Sequence, residues 1–269
     1  MESLAAEFGD LAPWLEWSES SQVARIDYTA DYRLLLRIFF TVLGANEKSL
    51  RVLRLTESIL EINSAHYTVW QHRRECLLAL QCSLPEELHL MDIISESNPK
   101  NYQIWYHRRA VLERINETEF GKSELSFIES VLDEDSKNYH AWAYRQWILS
   151  HFQDLENEIE MELINRLLID DVRNNSAWNH RWFIVFHRSL SKTAKEEEEY
   201  FEVKLSGEIV YTFEKIRFVK NNESAWNYLT GILTTYPQSL PSIQQGYSPL
   251  FLASVSIHVK LTICMYFLL

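Results

Sequence analysis

The sequence predicts an all-α fold, a right-handed alpha-alpha superhelix (solenoid) of helical hairpin repeats of about 36 residues. Three observations predict it. The first is spacing: Trp70, Trp105, Trp142 and Trp178 stand 35, 37 and 36 residues apart, and Trp226 follows after 48. The second is the text around them. Tyr-Thr-Val-Trp-Gln-His-Arg-Arg at 67–74 returns as Asn-Tyr-Gln-Ile-Trp-Tyr-His-Arg-Arg at 101–109 and Asn-Tyr-His-Ala-Trp-Ala-Tyr-Arg-Gln at 138–146. Two further copies are Asn-Asn-Ser-Ala-Trp-Asn-His-Arg-Trp at 174–182 and Asn-Glu-Ser-Ala-Trp-Asn-Tyr-Leu at 222–229. The third is register, since Trp105, Arg109 and Leu112 follow Tyr102 at offsets 3, 7 and 10, one stripe of a 3.6-residue helix. Gly and Pro number only six each, and alternating strand patterns are nearly absent.

Taken in order, residues 1–25 form an irregular lead-in with Trp14 and Trp17 among Ser and Glu. Asp31–Leu43 and Ser49–Ile62 make an opening helical pair, a sixth and degenerate unit with Leu53, Ile59, Leu60 and Ile62 on its inner face. The repeat array extends over 26–236. Beside each Trp helix stands a second one: Glu86–Ser95, Ser123–Leu132 and Asn157–Leu168 carry apolar residues at offsets 3, 4 and 7. Pro85 suits a first helical turn, where the missing N–H costs nothing. Two helices of roughly 14 residues and two short turns fill one period. The excess before Trp226 falls at Ser191–Lys204, whose run Glu196–Glu199 reads as a solvated helix face or loop, with docking of a basic partner as the alternative. A divergent apolar segment occupies 237–269. Its last 19 residues, Phe251–Leu269, barely reach the length of a membrane span and carry His258 and Lys260 near the middle, so a buried or interface helix is preferred to a stable membrane span.

Composition narrows the function. A net charge of -12 argues against nucleic acid. The acidic amino terminus lacks the basic start and apolar run of a secretory signal, and cytoplasm is the expected compartment. Cys76, Cys82 and Cys264 have no metal-type spacing and read as reduced packing residues. His72, His107 and His180 recur two positions after Trp, which marks them as repeat residues rather than zinc ligands, and no metal is expected on this chain. No nucleotide-binding Gly loop or nucleophile elbow is present. Catalysis is therefore expected from a composite site of which this chain supplies part.

The position five before each Trp holds Ala65, Lys100, Lys137, Arg173 and Asn221. Stacked helices set equivalent positions about 10 Å apart, so three central units are expected to present a row of cations. Each cation precedes a helix start, where free N–H groups and the dipole favour an anion such as a diphosphate. The competing expectation makes Lys100 and Lys137 ordinary exposed turn residues. Tyr102 and Tyr139, three before Trp, offer hydroxyls to the same anion or else are half-buried packing residues. Gln103 and His140 point to a different side, where they touch a substrate or serve as plain helix residues. The Trp set with Arg73, Arg74, Arg108, Arg109, Arg145 and Arg181 is architecture. Trp105 and Arg109 are spaced i, i+4, so the guanidinium is expected to stack on the indole and bridge to a carboxylate of the neighbouring unit.

These residues resemble the alpha subunits of protein prenyltransferases, whose repeats carry Pro-Lys-Asn-Tyr, then Trp, then His-Arg-Arg. Pro99–Arg109, Lys137–Trp147 and Asn222–Leu233 are most similar to the alpha subunit shared by farnesyltransferase and type I geranylgeranyltransferase, and the likeness covers Ile26–Tyr236. The resemblance implies a crescent of helical hairpins wrapped around a beta subunit that holds the catalytic zinc and most of the isoprenoid pocket. It implies transfer of a farnesyl or geranylgeranyl group from its diphosphate to the cysteine of a C-terminal CaaX motif, with magnesium in the holoenzyme. By position, the family's Lys toward the diphosphate falls on Lys100, the catalytic candidate, with Tyr102, Tyr139 and His140 beside it and Gln103 toward the peptide's C-terminal carboxylate. From Thr234 onward the sequence departs from the family, which points to a truncated product. The reading from a different class is a non-catalytic helical-repeat scaffold or truncated paralogue that binds partners without a complete active site.

Overall fold

The computed structural model describes residues 2–15, 26–152, 155, 157–187 and 194–237, and every regular element among them is helical. A short α1 (Glu2–Ala6) and a 3-10 turn (Gly9–Leu11) precede α2 (Ala30–Ala45), α3 (Leu50–Ile62), α4 (Tyr67–Ala79) and α5 (Leu84–Ser97). There follow α6 (Tyr102–Ile115), α7 (Thr118–Glu134), α8 (Tyr139–His151) and α9 (Asn157–Asp170). α10 (Asn175–Trp182) continues as a π-helical turn (Phe183–His187), and α11 (Ala194–Phe218) and α12 (Glu223–Thr235) close the described chain. The all-helical hairpin architecture expected from the Trp period is the one observed. The longer interval before Trp226 is taken up by α11, a helix of 25 residues. The side chains of Glu196–Glu199 within it, the apolar stretch 247–269 and Cys264 lie outside the described residues.

The chain divides into two compact units. One comprises the residues up to Leu132 with Asn138–Arg145; the other comprises Asp133–Lys137 and the residues from Gln146 onward. In the first, α2 packs on α3, α3 on α4, and α5 on α6, while α4 and α6, two Trp helices, also meet. In the second, α9 packs on α10, α11 on α12, and the Trp helices α10 and α12 meet. α3 buries Val52, Leu55, Thr56, Ile59 and Leu60. Ile62, expected on that inner face, is 47% exposed, because it is the final residue of α3 and lies off the buried stripe. The lead-in is also less irregular than its composition predicts. Phe8 is fully buried, Trp14 Nε1 donates to its carbonyl at 3.0 Å, and Arg51 lies over its ring while bonding Asp10 at 2.7 Å.

From α6 onward one asparagine starts each Trp helix and joins it to the turn before the previous one. Asn101, Asn138, Asn174 and Asn222, each four before its Trp, accept a backbone N–H from the first turn through Oδ1. Their Nδ2 groups donate elsewhere: to Ser64 Oγ at 2.7 Å, Pro99 O at 3.1 Å, Ser136 O at 3.2 Å and Val172 O at 2.7 Å respectively. His66 does the capping for α4 through Nδ1. The indoles of four Trp anchors also reach back six residues, Trp70 to Ser64 O, Trp105 to Pro99 O, Trp178 to Val172 O and Trp226 to Lys220 O, all at 2.8–2.9 Å. The buried indoles thus have their one polar atom satisfied.

A buried carboxylate then joins successive repeats. Arg73, three after Trp70, donates to both oxygens of Glu87 at 2.7 Å, and His107 of the next repeat donates to the same carboxylate at 2.8 Å. His107 also packs on Trp70, ring centroids 4.6 Å apart. The pattern returns with Arg108, Glu124 and Tyr144, whose ring meets Trp105, and with Arg181, Glu208 and Tyr228, whose ring meets Trp178. The carboxylate that Arg109 meets is on its own helix rather than on the neighbouring unit. Arg109 is exposed and pairs with Glu113 of its own helix, while Arg108, one residue earlier, turns inward and lies 3.7 Å over the Phe127 ring. A side chain at i+3 faces the following helix of the hairpin here, and one at i+4 has rotated to solvent.

Acid should loosen this joint first. Burial pushes the His107 imidazole below its ordinary 6.5, outweighing the pull of Glu87, and Arg74 Nη1 stands 3.5 Å from Nδ1, as a neutral ring requires. The unfolded chain then takes up a proton near pH 6.5 that the folded chain refuses, so stability is full above that pH and falls as pH drops through it. For Glu87 burial acts upward, but the hydrogen bonds and charges of His107 and Arg73 outweigh it and hold the carboxyl at about 2 against an ordinary 4.5. Its contribution is present above 4.5 and is lost as pH falls toward 2. The urea midpoint is expected to decline from about pH 6.5 downward, less steeply in His107→Gln. A midpoint unchanged from pH 8 to 5 would show that His107 is charged in the fold.

Candidate functional site

The first compact unit brings the starts of two Trp helices to one exposed place. α6 begins at Tyr102 because Asn101 caps it, and α8 begins at Tyr139 because Asn138 does the same. The rings of Tyr102 and His140 meet edge to face at 6.0 Å, and Tyr139 and His140 meet at 5.6 Å. Tyr102 is 64% exposed and Tyr139 77%, so neither is the half-buried packing residue that tyrosine at helical spacing ordinarily is. His140 and Gln103 are half-buried in the first turns of α8 and α6. Lys100 is exposed in the tight turn between α5 and α6, immediately before the capping Asn101.

That turn is held from both sides. Asn101 N donates to Asn98 O at 3.0 Å, and the Pro99 carbonyl accepts from Trp105 Nε1 at 2.9 Å and from Asn138 Nδ2 at 3.1 Å. The place therefore combines an ammonium, two phenol hydroxyls and an imidazole with the positive ends of two helix dipoles. This is chemistry suited to a multiply charged anion with several acceptor oxygens. Among the described residues no group of three or more His, Cys, Asp or Glu is placed to hold a metal ion.

Of the three cations at the offset five before Trp, Lys137 is paired with a carboxylate. In the second unit, Lys137 Nζ bonds Asp171 Oδ2 at 3.1 Å, and Asp171 Oδ1 accepts the backbone N–H of Arg173. The hydrogen bond from Lys137 holds the Asp171 carboxyl below its ordinary value. A carboxylate thus answers the positive charge of this turn, a pairing 34 residues apart that spacing relative to Trp does not reveal. Lys137 is an ion-paired turn residue. The residues missed beforehand are the carboxylates Glu87, Glu124 and Glu208, and the asparagines, both as caps of the Trp helices and as links between turns.

Comparison with known proteins follows the same repeats. Residues 50–80, 84–115, 122–152 and 158–188 match the protein prenyltransferase alpha subunit repeat. Each matched stretch ends on a Trp helix, so the natural unit runs from α3 to α4, α5 to α6, α7 to α8 and α9 to α10. Protein farnesyltransferase/geranylgeranyltransferase type-1 subunit alpha of Arabidopsis thaliana is 38% identical over 86 residues, 32% of this chain and 26% of that protein. The protein of the same name from Schizosaccharomyces pombe is 39% identical over 86 residues, 32% of this chain and 29% of its own length. The match thus spans little more than a quarter of these curated relatives. A solved chain of Candida albicans protein geranylgeranyltransferase-I complexed with GGPP is similar in fold, with a TM-score of 0.76 at 30% identity over 88% of this chain and 77% of that one.

Proposed function

The chain belongs to the protein prenyltransferase alpha-subunit family, and from that premise we propose that it is the alpha subunit of a heterodimeric protein farnesyltransferase/geranylgeranyltransferase type I. With a beta subunit it helps transfer a farnesyl or geranylgeranyl group from its diphosphate to the cysteine of a C-terminal CaaX motif. The observation that carries this reading is the exposed cluster of Tyr102, Tyr139 and His140 at two helix starts, one turn from Lys100.

In the transfer, the bond between isoprenoid carbon 1 and the bridging oxygen breaks, and negative charge grows on the departing diphosphate. The Lys100 ammonium meets that charge as it develops, and the Tyr102 and Tyr139 hydroxyls and the His140 ring donate to phosphate oxygens. The Gln103 side-chain amide donates to the C-terminal carboxylate of the peptide substrate. Zinc held by the beta subunit would activate the cysteine thiol, and magnesium would share the diphosphate charge. This chain's residues bind and orient the leaving group. The reading is expected to act in the cytoplasm, and no described helix is long and apolar enough to cross a membrane.

The deciding experiment co-expresses this chain with the prenyltransferase beta subunit of the same cell and assays transfer to a CaaX peptide from farnesyl and geranylgeranyl diphosphate. A co-purifying pair whose transfer needs both chains is the expected result. A pair that assembles with no transfer from either donor would sink the enzyme reading in favour of a scaffold.

A further inference from the structure

We propose that Asn138 is a positioning residue for the diphosphate site, acting through the peptide that carries Lys100; the inference rests on the function proposed above and deepens it. Asn138 is 2% exposed and touches no solvent-facing ligand position itself. Its side chain nevertheless joins both halves of the site. Oδ1 accepts the backbone N–H groups of His140 at 3.0 Å and Ala141 at 3.1 Å, which sets the start of α8 and with it Tyr139 and His140. Nδ2 donates to Pro99 O at 3.1 Å, in the peptide unit whose nitrogen belongs to Lys100. One planar amide thus spans the turn bearing the cation and the helix start bearing the phenol and the imidazole, and it fixes their separation.

Trp105 Nε1 donates to the same carbonyl at 2.9 Å, so the Pro99–Lys100 peptide is held by two side chains from different helices. Without the Asn138 amide, the indole still restrains the turn relative to α6, but the hydrogen bond from α8 to the Pro99 carbonyl is lost. The separation of the Pro99–Lys100 peptide from Tyr139 and His140 is then less closely set. A shift of about 1 Å in a group that meets transition-state charge is enough to lower a rate by roughly tenfold or more.

The test uses the assembled heterodimer with Asn138→Ser and, second, the near-isosteric Asn138→Asp. Both replacements keep an oxygen that caps α8 and lack the amide donor. Asn222→Ser supplies the comparison, since Asn222 caps α12 and holds Val172 O at 2.7 Å in the same manner, in a repeat without Lys100, Tyr102 or Tyr139. The expected result is a fall in kcat of about tenfold for both Asn138 variants, with KM for the CaaX peptide nearly constant. Asn222→Ser should lower the melting temperature by a similar amount and leave kcat unchanged.

A double-mutant cycle isolates the route. If Asn138 acts through Lys100, adding Asn138→Ser to Lys100→Ala should lower kcat by less than twofold further. Equal loss of melting temperature in Asn138→Ser and Asn222→Ser with kcat intact in both would overturn the positioning role, and so would a fully multiplicative double mutant. A drop in kcat for Lys100→Ala with none for either Asn138 variant removes only this inference. No change in any variant, Lys100→Ala included, removes the diphosphate site on which it rests.

Discussion

Lys100→Ala in the assembled heterodimer is expected to lower kcat by about 10- to 100-fold, the loss typical of one charged contact to a developing anion. The two phosphates already carry charge in the ground state, so affinity for the isoprenoid diphosphate should weaken as well. The larger effect belongs on kcat, because the bridging oxygen gains its full charge only as the carbon–oxygen bond breaks. Lys100→Arg should recover part of the rate, since the charge is restored on a longer, planar group. Lys137→Ala is the informative comparison. Lys137 occupies the same offset from its Trp and bonds Asp171 at 3.1 Å, and because it has no place in the proposed diphosphate site its loss is expected to change kcat by less than about twofold. Equal losses at both positions would mean a general electrostatic field rather than a contact, and no loss at Lys100 would remove it from the reaction.

The ion pair of Lys137 shows where sequence stops being informative. The helices, their starts and their pairing were legible because each is encoded locally: the register around each Trp is helical, and Trp every 36 residues or so demands a face to bury. The chemistry of the site was half legible. Lys100, Tyr102 and Tyr139 were picked out by recurrence and His140 by the family resemblance, but only coordinates could give Tyr102 an exposure of 64% and place its ring against His140 from another repeat. The carboxylates that receive the buried arginines were not legible as partners. They lie 14, 16 and 27 residues downstream of Arg73, Arg108 and Arg181, at no constant interval, on helices of different length. That Arg108 rather than Arg109 meets the carboxylate of the next unit has a similar origin. Positions i+3 and i+4 share a face on a helical wheel, and only the direction of the next helix decides which of them meets a partner.

Removal of Glu124 tests what those buried joints contribute, and the expected cost is the largest for stability in the chain. Arg108 is 1% exposed and gives Glu124 a bidentate pair, the Tyr144 hydroxyl donates to the same carboxylate at 2.8 Å, and Asp92 takes the remaining guanidinium bond at 2.8 Å. Burial alone would lower the Arg108 pKa, but the charge and hydrogen bonds of Glu124 outweigh it and raise it. Glu124→Ala leaves a buried cation with Asp92 as its remaining described carboxylate and a buried phenol without its acceptor, and should cost about 3–5 kcal/mol in urea unfolding of the full chain. The same principle predicts a second, opposite outcome. Taking charge and phenol away together, in Arg108→Met with Glu124→Leu and Tyr144→Phe, removes every orphan at once and should restore most of that loss. If the triple variant is as unstable as Glu124→Ala, the joint is a true source of stability. If it recovers, the carboxylate's role is to fix which residues of neighbouring repeats face each other, and so to hold Tyr102 and the start of α8 in one register.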